Sequence, residues 1–338
     1  MIYFAGVLGG NARKREREQE WKQRLHSYYY LQLLDFNLKK MNNNKVELFL
    51  DSGAFSAKSQ GVEISLKEYI NFIKENVSVI DVYANLDVIG NPDASLKNLH
   101  LMEKAGLHPL PVYHFGEDPD VYLKPLIEKY EYICIGGMVK AGNIISFLDR
   151  CFHDYICDDK GIPKVKVHGF GLTSLPLMLR YPWYSVDSTS WVVTGRMGGI
   201  FIPRWADGKW IYDGRSWKIA VSNMSPNTKE AGQHLETLSP LNKKIVLRYI
   251  EEKGYCMGSS KFIEVDQSHE LADNEKWAEK RPEDKKAKRK LEIIIEPGIS
   301  NRYQLRDEMN IIYFLDLEKS MPEWPWAFKL ESRNANMF

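Results

Sequence analysis

Val46-Glu-Leu-Phe-Leu-Asp51-Ser-Gly-Ala-Phe-Ser56 reads as a short, largely apolar strand that ends in an acid and runs into a Ser-Gly turn. Such a stretch presents a carboxylate at a strand exit, where the glycine permits a tight turn and the close approach of a ligand. Its counterpart is Tyr184-Ser-Val-Asp187-Ser-Thr-Ser-Trp191, a second strand ending in an acid. Carboxylates at the ends of separate strands are a common start for acid/base or nucleophilic chemistry. The fold depends on what joins them.

Outward from these two stretches, one rhythm repeats over the first two hundred residues. Runs rich in Val, Ile and aromatics predict strands at Ile2–Leu8, Val46–Asp51, Ile80–Asp87, Leu107–His114, Tyr132–Gly137, Val165–Phe170, Trp183–Asp187 and Gly199–Pro203. Helices are expected between them at Arg13–Lys40, Leu66–Asn76, Ala94–Ala105, Val121–Lys129, Asn143–Phe152 and Leu175–Arg180. Ser65 and Glu68 have the spacing of a capping box. Strands alternating with helices every ~20 to 40 residues fit an α/β fold of the (β/α)8, TIM-like barrel type. The competitor is a doubly wound open sheet, but Gly6 and Gly9-Gly10 are too irregular for its dinucleotide fingerprint.

In a barrel every strand exit faces one end, where such enzymes place their sites. The exits here are polar: Asp51-Ser-Gly, Asn85-Leu-Asp87, Tyr113-His-Phe-Gly116, Gly136-Gly-Met138, His168-Gly-Phe-Gly171 and Asp187-Ser-Thr. After Pro203 the rhythm stops, which divides the chain into a barrel over 1–204 and an extension over 205–338. In the extension, Trp205–Trp217 carries two Asp-Gly turns among aromatics and reads as a hairpin, with Trp217–Met224 as its return strand. Leu235–Lys253 looks helical, Gln267–Lys290 is a charged solvated helix or mobile arm, and Leu305–Leu317 packs back on the body.

Composition narrows the class. The 338 residues are 44% hydrophobic and 27% charged, as in soluble globular proteins, and no long uncharged apolar run predicts a membrane helix. Met1-Ile-Tyr-Phe-Ala-Gly6 meets Arg13-Lys-Arg-Glu-Arg17, the reverse of a signal peptide's charge order, so it reads as a first strand. The four cysteines form no Cys-x-x-Cys pair, which favours a reducing, cytoplasmic setting. Cys151-x-His153 with Cys157 lacks a fourth ligand, so no metal is expected. A net charge of +1 excludes a whole-molecule attraction to polyanions but not local basic patches.

Several of these residues resemble a known family. Asp51-Ser-Gly-Ala-Phe-Ser56 is similar to the Asp-Ser-Gly-Gly-(Phe/Tyr)-Gln motif of the tRNA-guanine transglycosylases, and Leu86-Asp87 to the acid with which that family reads a base. Val112-Tyr-His-Phe-Gly116 stands where the family has Val-Gln-Gly, Gly136-Gly-Met138 resembles its Gly-Gly-Leu loop, and His168-Gly-Phe-Gly171 its Met-Gly-Val-Gly. Asp187 falls where the family's nucleophile follows a strand, and Arg196 keeps the offset of a downstream arginine. The match spans residues 46–200, in order. There are departures: the Cys-x-Cys-x-x-Cys…His zinc site is absent, and Ser56 and His114 replace glutamines. They fit better the divergent relatives from phages and bacterial DNA-modification clusters, which exchange guanine in DNA for a 7-deazaguanine.

The resemblance implies Asp187 as nucleophile and Asp51 as general acid/base. It implies Asp87 as the reader of the base edge, and Ser52, Phe55, His114, Gly136, Gly137, Met138 and His168 around the heterocycle. No cofactor is implied. The expected partners are DNA, with its guanine flipped out or single-stranded, and a free 7-deazaguanine such as 7-cyano-7-deazaguanine. Phosphate contacts would fall to Arg13–Arg17, Arg196, Arg204, Lys285, Lys286, Lys288 and Arg289, with Trp205, Trp210 and Trp217 as stacking surfaces. The alternatives are a tRNA enzyme of the same mechanism, an unrelated barrel hydrolase or lyase, and a non-catalytic nucleic-acid-binding component of a modification system.

Overall fold

A computed structural model describes residues 1–6, 23–33, 38, 46–138, 142–172, 174–225, 231–284 and 286–330. The chain forms two compact units, one of Met1–Leu8, Arg13–Thr189 and Glu318–Phe338, the other of Gly9–Ala12 and Ser190–Leu317. The first long segment ends at Thr189, where the sequence pattern carries it to 204.

The first unit is an α/β fold around a curled, eight-stranded parallel sheet. Its strands are β1 (Ile2–Ala5), β2 (Gln23–Ser27), β3 (Glu47–Asp51), β4 (Val82–Tyr83), β5 (Val112–His114), β6 (Tyr132–Gly136), β7 (Lys166–Gly169) and β8 (Ser185–Ser188). The order 4-3-2-1-8-7-6-5 is consistent with a TIM-like barrel. A parallel bridge between Ala84 and Leu110 joins the outer strands, with Asn85 N–H donating to Leu110 O at 2.9 Å. The helices of this unit are α1 (Tyr28–Leu33), α2 (Ala54–Ser59), α3 (Leu66–Asn76), α4 (Pro92–Lys104), α5 (Lys124–Lys129), α6 (Ile144–Arg150) and α7 (Leu175–Arg180). Ser65 caps α3 by accepting from Glu68 N–H.

Side-chain alternation sorts β3 between two cores. Leu48 and Leu50 pack outward with Tyr69 and Ile73 of α3, while Phe49 packs inward with Tyr3, Leu25, Val112 and Cys134. Full burial of one such side chain stabilises the fold by about 1.5–3 kcal/mol. The same period of two continues from Phe49 to Asp51, from Val112 to His114 and from Cys134 to Gly136, so the inward faces of these strands end at two polar side chains and a glycine.

Three strand expectations are corrected. Gln23–Ser27, expected within a helix, is β2, hydrogen-bonded in parallel to both β1 and β3. Four of its five residues are polar, so its strand character comes from pairing on both edges and not from propensity. Gly199–Ile202, expected to complete the barrel, lies in the second unit as β9 and pairs antiparallel with β12 (Trp217–Ala220). Trp217–Ala220 is therefore the partner of β9 and not the return strand of a hairpin.

In the second unit α8 (Ser190–Arg196) precedes β9, and β10 (Arg204–Ala206) pairs antiparallel with β11 (Lys209–Ile211). Asp207 and Gly208 between them both take positive φ, as a two-residue turn requires. Helix α9 (Pro240–Glu252) packs Val246, Tyr249 and Ile250 against Ile200, Ile202 and Ile219. The charged segment expected as helix or mobile arm instead supplies β14 (Glu275–Trp277) and the start of β15 (Arg289–Glu296), which form a sheet with β13 (Ser259–Val265). Leu291 and Ile294 of β15 are buried. Helix α10 (Tyr303–Ser320) carries buried Asn310, whose Nδ2 donates to Trp191 O at 2.9 Å and whose Oδ1 accepts from Phe201 N–H at 2.9 Å. No helix among the described residues is long and apolar enough to cross a membrane.

Candidate active site

The exits of β3, β4 and β8 bring Asp51, Asp87 and Asp187 into one electrostatic neighbourhood. Asp51 ends β3, half-buried, and one of its oxygens accepts from Gly53 N–H at 3.1 Å. Gly53 takes a φ of 78°, and a Cβ there would collide with Ser27 and Tyr29. This glycine therefore answers to packing against β2 and α1 instead of to ligand approach. Burial pushes the Asp51 carboxyl up to about 7, and the charges of Asp187 and Asp87 add to it. The wholly buried Cys134 thiol of β6 is also raised, by burial first and then by Asp87, Asp51 and Asp187.

Asp87 follows β4 and is likewise raised to about 7, with burial the largest cause, Glu117 adding and His114 and Asn85 opposing. Asn85 Nδ2 donates to Asp87 Oδ1 at 3.2 Å, and His114 Nε2 lies 3.5 Å from Oδ2. His114 is clamped from behind: its Nδ1 is 3.4 Å from Glu117 Oε1, and its backbone N–H donates to Glu117 Oε2 at 3.0 Å. Burial disfavours the His114 cation, but the Glu117 hydrogen bond and the two acid charges outweigh it and raise its pKa. Gly136 makes room for the ring, since a Cβ there would sit 3.1 Å from His114 Cδ2.

Asp187, on β8, is 6% exposed. Its Oδ1 accepts from Gly171 N–H at 2.8 Å and lies 3.3 Å from His168 Nε2. His168 is wholly buried, ringed by Tyr3, Phe49 and Phe170, and burial lowers its pKa. Its Nδ1 is 2.6 Å from Ser185 Oγ, which in turn lies 2.6 Å from Tyr132 Oη.

The remaining expected base contacts divide. Phe55, on α2, is 62% exposed, so its ring is open to a flat ligand. Gly137 is exposed just beyond β6, and Met138 is buried beside it. Ser52 is buried and its hydroxyl is engaged by Ala54 N–H at 3.4 Å. His168, expected against the heterocycle, has no exposed surface with which to stack on one; it touches Asp187 instead. Asn85, Glu117, Ser185 and Tyr132 join the site although sequence reasoning does not single them out. Glu117 carries a signal, an acid three positions after a strand-exit histidine; Ser185 and Tyr132 carry none.

In the second unit Arg196 and the lysines Lys286 and Lys288 are exposed, and Arg196 faces the charge of Asp307. Arg204 is paired with Asp213 at 3.1 Å, and Arg289 lies over the Trp277 ring while donating to Glu279 O. Trp205 and Trp210 pack against each other, and the Arg248 guanidinium covers Trp205 at 3.9 Å. Trp217 is partly buried against the core of that unit. Arg13–Arg17 and Lys285 lie outside the described residues. Among the described residues no cluster of His, Cys, Asp and Glu has the makings of a metal site.

Comparison with known proteins adds no relative: no family model, no curated protein and no solved structure matches this chain.

Proposed function

We propose that the first unit is a complete (β/α)8 barrel enzyme, with the second unit as its hairpin-bearing, helical extension, and that it exchanges guanine in DNA for a 7-deazaguanine. The observation that carries this reading is the pair of unlike carboxylates at one mouth. Asp51 is poised near neutrality by its burial, with the charges of Asp187 and Asp87 adding to it, and Asp187 is held by the Gly171 N–H.

The chemistry follows from those environments. As the C1′–N9 bond of the target nucleotide breaks, a carboxylate oxygen of Asp187 bonds to C1′ of the oxocarbenium-like sugar. The leaving guanine takes a proton from neutral Asp51. The incoming base then returns a proton to the Asp51 carboxylate, its N9 bonds to C1′, and Asp187 leaves as carboxylate. A group whose pKa is about 7 serves both halves, because both of its forms are populated near neutrality. Ionised Asp87 accepts from the N1–H and exocyclic amine of a guanine-like edge, and His114 beside it favours that ionised form.

The test is incubation of the protein with labelled 7-cyano-7-deazaguanine and either DNA or tRNA. Label in DNA is expected; label in tRNA alone overturns the choice of nucleic acid, and label in neither overturns the activity. A denaturation-resistant protein–DNA adduct, present in the wild type and lost in Asp187→Ala, identifies the nucleophile.

A further inference from the structure

Asp187 sits at the end of a buried polar chain that base recognition does not use. Tyr132 Oη, Ser185 Oγ, the two ring nitrogens of His168 and Asp187 Oδ1 follow one another at 2.6, 2.6 and 3.3 Å. Ser185 is 1% exposed and His168 not at all, so each polar atom depends on the next for its partner.

The geometry points to His168 as a positioning residue. We infer that it stands as the neutral tautomer with its proton on Nε2, donates to Asp187 Oδ1, and is held in that tautomer by the hydroxyls of Ser185 and Tyr132. This rests on the reading of Asp187 as the attacking carboxylate. A proton on Nδ1 alone would turn the Nε2 lone pair toward a carboxylate oxygen in a buried site, which is repulsive. With Nε2–H donating forward, Nδ1 must accept, so Ser185 O–H donates to it and Ser185 Oγ accepts from the Tyr132 phenol. The phenol stays protonated, since burial raises its pKa. Burial likewise keeps the imidazole neutral.

The consequence falls on the carboxylate. Gly171 N–H and His168 Nε2–H both reach Oδ1, and among the described residues no hydrogen bond reaches Oδ2. Two donors on one oxygen fix the plane of the carboxylate and leave Oδ2 as the oxygen for the sugar carbon. His168 thereby acts through Asp187 and touches no substrate.

The tautomer is read directly by nitrogen NMR of the full-length protein labelled at histidine. The His168 signals are assigned by their loss in His168→Gln. A protonated Nε2 beside an acceptor Nδ1 across pH 6–8 is expected; a protonated Nδ1, or a doubly protonated ring, overturns the inference. Kinetics supply a second reading, because a glutamine amide reaches where Nε2 lies and an asparagine amide only where Nδ1 lies. In base exchange, His168→Gln is expected to retain kcat within about threefold, while His168→Asn loses about tenfold or more with KM for the base unchanged, the worth of one hydrogen bond in the transition state. Equal kcat in the two variants overturns the positioning role. If no base is exchanged at all, the proposed function fails, yet the NMR result still decides the tautomer.

Discussion

At the scale of single residues, the site is governed by how burial and neighbouring charge shift proton affinities. Asp51 illustrates the sign. Its carboxyl titrates near 3.8 when free and near 7 in the folded protein. The folded state therefore binds the extra proton between those values, and stability falls as pH rises through that window. Asp51→Asn removes the penalty. We expect the variant to be more stable than the wild type at pH 8 by about 1–2 kcal/mol, since one pKa unit is worth about 1.4 kcal/mol and the half-buried site is partly screened. At pH 4 the gain should vanish, and base exchange should fall at least about a hundredfold at every pH. Thermal melts at the two pH values check the first part. His114 has a linkage of the same sign: its raised pKa means the Glu117 contact stabilises at low pH, an effect that fades as pH rises through the folded value. Glu117→Gln should lower the His114 pKa, which a proton NMR titration reads. Asp51 and Asp87 were legible in the sequence as acids at strand exits. The partnership of His114 with Glu117 was hinted only by spacing, and the burial of His168 was not legible at all.

At the scale of elements, the strands work because an inward-facing alternation ends on a chemical group. The β6 strand delivers Gly136 opposite His114, and the missing side chain is what lets the imidazole lie beside Asp87. Gly136→Ala should cost about 1–3 kcal/mol by overpacking and should raise KM for the base more than it lowers kcat. Retention of the wild-type KM would contradict that placement. In the second unit α10 is tied to β9 by Asn310, which satisfies the Phe201 N–H and the Trp191 carbonyl. Asn310→Leu takes from the buried Phe201 N–H its side-chain acceptor, a loss of about 1–3 kcal/mol visible as a lower urea midpoint with unchanged slope. Periodicity disclosed β3, β6, β8 and α3 with nearly their observed bounds. It missed β2, because Gln23-Arg-Leu-His-Ser27 has no alternation of polar and apolar residues to detect. It misplaced β9, because an apolar run states that a strand exists and not which strand it pairs with.

At the scale of the whole molecule, charge is nearly balanced at +1, so the proposed nucleic-acid binding would rest on local basic groups. If exposed Lys286 and Lys288 meet phosphates, the double variant Lys286→Ala/Lys288→Ala should flatten the dependence of log K on log salt by about 2, one for each lysine that no longer neutralises a phosphate. An unchanged slope removes these lysines from the interface. Arg204 and Arg289 are already engaged within the protein and should contribute less to that slope.

The amino-acid sequence alone determined the alternation of strands and helices, the polar exits, and the acids Asp51, Asp87 and Asp187 at those exits. These are local properties, carried by periodicity and residue type within a few positions of the chain. Tertiary structure decided the rest. Strand pairing placed Gln23–Ser27 in the sheet and Gly199–Ile202 outside it. Burial made His168 a partner of Asp187 with no exposed surface of its own, and it raised Asp51 to a pKa near neutrality. Proximity and desolvation arise only when segments far apart in the chain meet, so no local pattern in the sequence can encode them.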